Sequence, residues 1–309
     1  MSAQLRTLLM PLAMATGAVF HDFFSGLNPL TPYLIFTMLF IPFCGVRISE
    51  MKITGLHASL IAFQLLVSTG VYLCLRPAGE TLAQGAMICI LAPTATSAVV
   101  VAGMLGANIA IMVSYSMLVN TVVAVAAPLF FSAIGTGAGI AFWESFWTIL
   151  CRVIPILVLP FALALLLRHF TPRLADRIEG WRPFSFYLWL VALAIVTGRT
   201  VNFIMTQDAR NVTTELWLAA IALVICLAQF AIGRKIGRHW GNTVAGGQSL
   251  GQKNTILAIW MAQSYLDPLS SVAPAGYVLW QNLVNSTQLW LRARRDSRQA
   301  ASQSNDRGE

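Results

Sequence analysis

Hydropathy along this chain, punctuated by proline, glycine and charge, divides into ten apolar blocks: residues 8–24, 29–46, 54–75, 82–105, 108–134, 147–167, 186–205, 216–232, 244–266 and 269–291. Two long stretches, 25–46 and 83–143, contain no Asp, Glu, Lys or Arg. A helix needs about 20 consecutive apolar residues to cross a hydrocarbon core of ~30 Å. Each block therefore predicts a transmembrane helix, and the chain an all-α polytopic membrane protein with about ten of them. Residues 292–309 are polar and charged and predict a disordered cytoplasmic tail. Arg6 followed by the apolar run 8–20 has the outline of a signal peptide, but residues 21–24 make a poor cleavage region. A retained first helix is expected.

Composition agrees. Hydrophobic residues make up 57% of the 309, charged residues 10%, and the mean hydropathy is +0.70. Soluble domains carry about 25% charged residues, so this chain cannot cover an aqueous surface in the ordinary way. The net charge of +8 has a plainer source than nucleic-acid binding, because membrane proteins retain Lys and Arg in cytoplasmic loops. No nucleic-acid partner is expected, and the lipid bilayer is. The cysteines (Cys44, Cys74, Cys89, Cys151, Cys226) are scattered without paired spacing and read as small hydrophobes. No cofactor or metal site is indicated.

The basic residues also set an orientation. With the N-terminus inside, Arg6, Arg47, Lys52, Arg168, Arg173, Arg177, Arg182, Arg234, Lys235, Arg238, Arg292, Arg294, Arg295, Arg298 and Arg307 are cytoplasmic, against Arg76, Arg199 and Arg210 opposite. Fifteen against three predicts an even number of crossings, both termini cytoplasmic, in a cell membrane. The basic connection 168–182 and the Gly-rich 135–139 link suggest two halves of five helices, 1–139 and 140–291. Five is odd, so the second half must sit upside down relative to the first. This is the 5+5 inverted repeat common among transporters.

In each half the fourth block is interrupted. One carries Leu91-Ala92-Pro93-Thr94-Ala95-Thr96-Ser97, the other Gly246-Gly247-Gln248-Ser249-Leu250-Gly251-Gln252-Lys253-Asn254-Thr255. Pro93 donates no backbone hydrogen bond and disfavours helix at Ala92. Each glycine costs about 1 kcal/mol against alanine in a helix. Both stretches are expected to unwind, and unwound backbone at membrane depth is tolerated only in protein or beside a wet cavity. Two crossing discontinuous helices, the fourth and ninth, are therefore expected to form a binding site near the midplane. A proline kink with hydroxyls bonding back to the helix is the plainer reading of the Pro93 segment alone.

The following blocks both contain Tyr-x-x-x-x-Asn, at Tyr115/Asn120 and Tyr277/Asn282. Asparagine deep in a span needs a partner, and these two either face the breaks or bond between helices. Lys253 is the ionisable residue nearest a predicted midplane, with no Asp or Glu at matching depth. It could bind an anionic substrate, carry a proton, stand where a cation would otherwise bind, or snorkel to the interface.

At these residues the chain resembles the bile acid:sodium symporter family and its superfamily, as a divergent bacterial member. The resemblance lies in residues 86–135, with Ala92-Pro93-Thr94-Ala95-Thr96-Ser97-Ala98 where the family has a Cys-Pro-Gly-Gly-type break followed by Gly106-Ala107-Asn108. It lies also in 247–291, with Gln248-x-x-x-Gln252, and more weakly in 38–52. Together these windows cover about 40% of the chain. It implies a panel and a core domain, and sodium-driven transport of a small, usually anionic, organic solute across the bacterial inner membrane.

The sodium ligands are where this chain departs. By the resemblance the family's glutamate falls at Gln248, its Ser-Asn pair at Ala98-Val99, a hydroxyl ligand at Met112 and an asparagine at Lys253. Ser116, Gln252 and Gln64 keep family oxygens. Sodium needs several hard oxygen donors, as calcium and magnesium do. The sodium sites are thus expected to be degraded, with Lys253 replacing a cation and coupling, if any, to protons. The candidate substrate- and ion-binding residues are Gln64, Pro93, Thr94, Thr96, Ser97, Ser116, Asn120, Gln248, Ser249, Gln252, Lys253, Asn254, Thr255 and Asn282. Helix N-termini at the breaks favour an anion.

The expected function is secondary transport of a small organic anion by alternating access. A sensor, passive facilitator or channel on the same fold would also show lost coupling ligands. An intramembrane enzyme lacks support, because the spans hold no His pair, Gly-x-Ser-x-Gly or Asp pair. An ATP-driven pump would need a phosphate-binding Gly-x-x-x-x-Gly-Lys loop, which is missing.

Overall fold

The computed structural model describes residues 3–47, 51–95, 97–134, 142–206 and 212–305. The 135–139 link and Thr96 lie outside the described residues. The described chain is helical, without a strand. Its helices are α1 (Ala3–Val19), α2 (His21–Gly26), α3 (Thr31–Phe43), α4 (Gly55–Leu75), α5 (Glu80–Leu91), α6 (Ser97–Met104), α7 (Ile109–Ile134) and α8 (Phe142–Leu157). They continue with α9 (Leu159–Phe170), α10 (Pro172–Glu179), α11 (Arg182–Met205), α12 (Val212–His239), α13 (Thr243–Gly251), α14 (Thr255–Tyr265) and α15 (Val272–Asn305).

Among the described residues, four stretches are long and apolar enough to cross a bilayer: Gly55–Ala78, Ile109–Ile134, Phe142–Phe170 and Val212–His239. Asn28–Phe43, Glu80–Leu91 and Tyr187–Asn202 are shorter apolar helices. The surface fits the same environment. Leu66, Leu216 and Val224 expose 72%, 67% and 64% of their area, while Gln64, Gln229, Gln248 and Lys253 are buried. Large apolar side chains left exposed along helices whose polar residues are buried are costly in water and natural in lipid. The architecture is that of an all-α membrane protein.

Several boundaries differ from expectation. The first block splits after Val19, and the sixth becomes α8 and α9, joined at Val158 with Pro160 in the first turn of α9, where its missing N–H costs nothing. The tail expected to be disordered continues α15 as far as Asn305. Once a helix is nucleated, the Arg, Gln and Ala that follow need only propagate it.

The largest correction concerns the ninth block. Residues 246–251 are helical within α13, and only Gln252, Lys253 and Asn254 separate α13 from α14. Gly246 and Gly247 serve close packing, not unwinding. A methyl group on Gly246 would press on the Gly233 carbonyl and stand 2.7 Å from Gly237 Cα; one on Gly233 would press on the Gly246 carbonyl. The α12 and α13 backbones thus touch through paired glycines, as small residues permit in membrane helices. Gly246→Ala is expected to cost about 1–3 kcal/mol through this overlap, read as a lower thermal unfolding midpoint of the purified protein. An unchanged midpoint would show the helices can part freely.

Candidate functional site

The two breaks meet. Thr94 and Lys253 form an isolated antiparallel bridge. Ala95 N–H donates to the Gln252 carbonyl at 3.0 Å, and Asn254 N–H donates to the Pro93 carbonyl at 2.8 Å. Residues 155 positions apart are joined again where Thr94 Oγ1 donates to the Ser249 carbonyl at 2.5 Å and Gln252 Nε2 donates to Ser97 Oγ at 2.9 Å. Pro93 supplies the carbonyl that accepts from Asn254 N–H and, having no N–H itself, needs no acceptor in return.

Ending a helix in the interior leaves its last carbonyls without helical partners. At α5 all four are supplied by side chains from other elements. Gln229 Nε2 of α12 donates to Cys89 O at 3.1 Å, and Lys253 Nζ donates to Ile90 O at 2.8 Å. Gln64 Nε2 of α4 donates to Leu91 O and Ala92 O at 2.8 and 3.1 Å. Tyr115 OH of α7 in turn donates to Gln64 Oε1 at 3.2 Å. The end of α13 is treated alike. Tyr277 OH of α15 donates to Gly251 O at 2.9 Å and accepts from Gln229 Nε2 at 3.0 Å. A Gln–Tyr pair thus braces each half-helix, Gln64 with Tyr115 and Gln229 with Tyr277.

Lys253 is 1% exposed and forms no ion pair among the described residues. It does not snorkel. Its own peptide is held on both edges by Gln281, whose Oε1 accepts from Lys253 N at 2.9 Å and whose Nε2 donates to Lys253 O at 3.3 Å. The ammonium therefore sits at the C-terminal, negative end of the α5 dipole, a position suited to a cation.

A cavity of about 610 Å³ runs from the exposed Arg47 at the α3–α4 connection to the junction of the breaks. Ser97, Gln252, Lys253, Asn254 and Thr255 line its inner part, with Ser116 of α7 and Gln281, Asn282 and Asn285 of α15 beside them. Met38, Phe43, Met104 and Trp189 contribute to an apolar wall. The lining described contains no Asp or Glu. Ser116 Oγ, Gln252 Oε1 and Asn285 Nδ2 are buried without hydrogen-bond partners among the described residues. Such atoms are costly unless something else supplies the missing bond.

Of the residues singled out from sequence, Gln64, Pro93, Thr94, Ser249, Gln252, Lys253 and Asn254 meet at the crossing, with Asn254 Oδ1 also accepting from Leu257 N at 3.2 Å to cap α14. Ser97, Ser116, Thr255 and Asn282 line the cavity. Two do neither. Gln248 turns to α15, donating to Asn285 Oδ1 at 3.0 Å and Gln288 Oε1 at 3.1 Å. Asn120 bonds back to its own helix, Nδ2 to Ser116 O at 2.6 Å. Gln229, Gln281 and the hydroxyls of Tyr115 and Tyr277 were missed. A carboxamide in mid-span was the available signal for both glutamines.

The positions that the resemblance assigns to sodium offer little oxygen. Ala98 is fully buried, and Met112 presents its thioether, which accepts from Ser249 Oγ at 3.4 Å. Ala98 and Met112 thus bring no side-chain oxygen to a cation, while Ser116 and Gln252 keep theirs. No family model matches this chain, and no curated protein matches it.

Proposed function

We propose that this chain is a secondary transporter that carries a small organic anion by alternating access, without classical sodium sites, as a divergent member of the bile acid:sodium symporter superfamily. The observation that carries the reading is the bridge between Thr94 and Lys253 at the inner end of a large cavity. Polar, unwound backbone from distant parts of the chain meets there, and a solute can take the place of water. An anion is favoured by Arg47 and Lys253, by the lack of acidic lining among the described residues, and by the N-termini of α6 and α14 at Ser97 and Thr255. The Lys253 ammonium at the end of α5 stands in for a bound cation.

A ten-crossing 5+5 inverted repeat, with both termini in the cytoplasm of a bacterial cell, is supported by matching sets of elements. One set is α4, α5 with α6, and α7; the other is α12, α13 with α14, and α15. Each has a long helix with the bracing glutamine, a broken pair, and a long helix with the bracing tyrosine.

The test begins with a thermal-shift screen of small carboxylates, with and without sodium, on wild type and Lys253→Ala. A hit is then assayed by counterflow in proteoliposomes. Trans-acceleration by internal substrate is the expected result. Binding without it would make the protein a sensor, and flux without it a channel.

Alternating access also requires the opposite face to open. There Thr81 Oγ1 of α5 donates to Asp267 Oδ2, Asp267 N donates to Gln84 Oε1 at 2.8 Å, and Gln84 and Tyr72 both donate to Glu80 at 3.2 and 2.5 Å. This clasp joins α5 to the α14–α15 connection. In a Cys74→Ser/Cys151→Ser background, oxidising the Thr81→Cys/Asp267→Cys pair is expected to slow counterflow severalfold, and a reductant to restore it. Full counterflow with the cross-link formed would mean this face stays shut during transport.

A further inference from the structure

A carboxamide's oxygen and nitrogen are nearly alike in size, so its partners decide which of them faces which way. Three carboxamides in series, Gln288, Gln248 and Asn285, join the half-buried Arg234 of α12 to the cavity. Gln248 lies on α13, while Asn285 and Gln288 lie one turn apart on α15. Arg234 crosses α13 where Gly247 carries no side chain. A methyl group there would stand 2.6 Å from Arg234 Cγ.

The series has one direction. A guanidinium donates and never accepts. Arg234 Nη2 donates to Gln288 Oε1 at 2.9 Å, so Gln288 must turn its oxygen to the arginine. That oxygen also accepts from Gln248 Nε2 at 3.1 Å, so Gln248 must present its NH2. The same NH2 donates to Asn285 Oδ1 at 3.0 Å, so Asn285 must present its oxygen. What remains of Asn285 is its own NH2. This group is buried without an acceptor among the described residues, on a side chain that lines the cavity. Turning over any one amide would set donor against donor or acceptor against acceptor. Gln248 Oε1 also lacks a partner among the described residues. Reversing Gln248 and Asn285 together would pair that oxygen with the Asn285 NH2. It would also set it against Gln288 Oε1, which Arg234 holds in place.

The geometry points to Arg234 as a positioning residue that fixes Asn285 as a hydrogen-bond donor to the anionic group of a solute in the cavity. A charged oxygen is the strongest acceptor for such an NH2, whereas a cation would meet the wrong end of the amide. Asn285 lies one turn of α15, about 6 Å, from Gln281, which holds the Lys253 peptide. The assignment rests on the anion reading of the cavity, and not on transport.

The test compares benzoate, benzamide and benzylammonium, which share a ring for the apolar wall and differ in their polar end. Apparent affinities are read from the rise of the thermal unfolding midpoint with ligand concentration, on the full chain in detergent. Wild type is expected to prefer benzoate. Arg234→Lys, another cation that only donates, should keep that preference. Arg234→Glu accepts where arginine donates, so all three amides reverse and Asn285 offers its oxygen instead. Benzoate affinity should then fall by about tenfold, as when one hydrogen bond to a charged group is lost, and benzylammonium should overtake it. Arg234→Gln, which can face either way, should fall between. Removing a nearby positive charge would weaken benzoate by itself, and an Asn285→Leu background separates the two effects. There Arg234→Glu should change benzoate affinity by no more than about twofold. The same loss in that background would make Arg234 a long-range charge and overturn the relay. Benzoate binding indifferent to both Arg234→Glu and Asn285→Leu would overturn it too, and leave the anion to Lys253. No wild-type preference for benzoate would overturn the donor assignment, while the carrier reading still stands or falls by counterflow, which none of these readouts uses.

Discussion

Lys253→Asn is expected to make substrate flux rise severalfold with sodium, where wild-type flux stays flat. The reason lies at the end of α5. Four carbonyls point out of that half-helix, and the lysine ammonium satisfies the one at Ile90, 2.8 Å away. Asparagine would withdraw the lysine amino group, free the Ile90 oxygen and add a carboxamide oxygen of its own. Gln252 Oε1, buried nearby in sequence without a partner, is a further donor. A small cation could then gather oxygen ligands at the negative end of a helix dipole. Lys253→Met removes the charge without offering oxygen, and here only loss is expected. A hydrogen bond to a charged group contributes about 1.5–3 kcal/mol, which corresponds to a roughly 10- to 150-fold weaker substrate affinity if the ammonium supports the anion site. The measurement is initial flux in proteoliposomes with sodium or potassium outside, with affinity read from thermal shift. Strong sodium dependence in wild type would end the idea that lysine replaces the cation.

Much of this site was legible because a bilayer makes polar residues expensive. In a chain that is 57% hydrophobic, Pro93 with its neighbouring hydroxyls and Lys253 with its neighbouring carboxamides stand out by depth alone. That these segments meet was expected from two interrupted blocks at matching places along the chain. Depth, however, does not report direction around a helix. Gln248 and Gln252 are four residues apart, yet one bonds α15 and the other bonds Ser97 of the opposite break. The extent of the second break was overread because glycine serves two ends. It loosens a helix, or it lets two helices touch, and Gly246 does the second. The direction of Lys253 was the least legible feature. Its ammonium turns to a carbonyl 163 positions earlier in the chain, which no local pattern encodes.

Gln281→Leu is expected to be the most damaging change outside the crossing itself. Gln281 lies on α15, touches neither break through sequence, and keeps both edges of the Lys253 peptide satisfied. Leucine has similar size and supplies no hydrogen bond. The Lys253 N–H, which bonds nothing else among the described residues, would lose its partner, while the carbonyl would keep the Thr255 N–H at 3.0 Å. A buried donor left without its partner costs about 1–3 kcal/mol, and the carbonyl's second bond adds to this. The unfolding midpoint of a protein this size should fall by at least about 2 °C, given ~2–4 °C per kcal/mol. The functional loss should exceed the structural one. If Lys253 drifts, the ammonium leaves Ile90 and the bridge to Thr94 loosens, so carboxylate affinity should fall by about tenfold or more. Gln281→Glu retains an acceptor for the Lys253 N–H and should recover part of the midpoint. A Gln281→Leu variant with wild-type affinity would show that the crossing holds its shape without α15, and that Lys253 is fixed by the breaks alone.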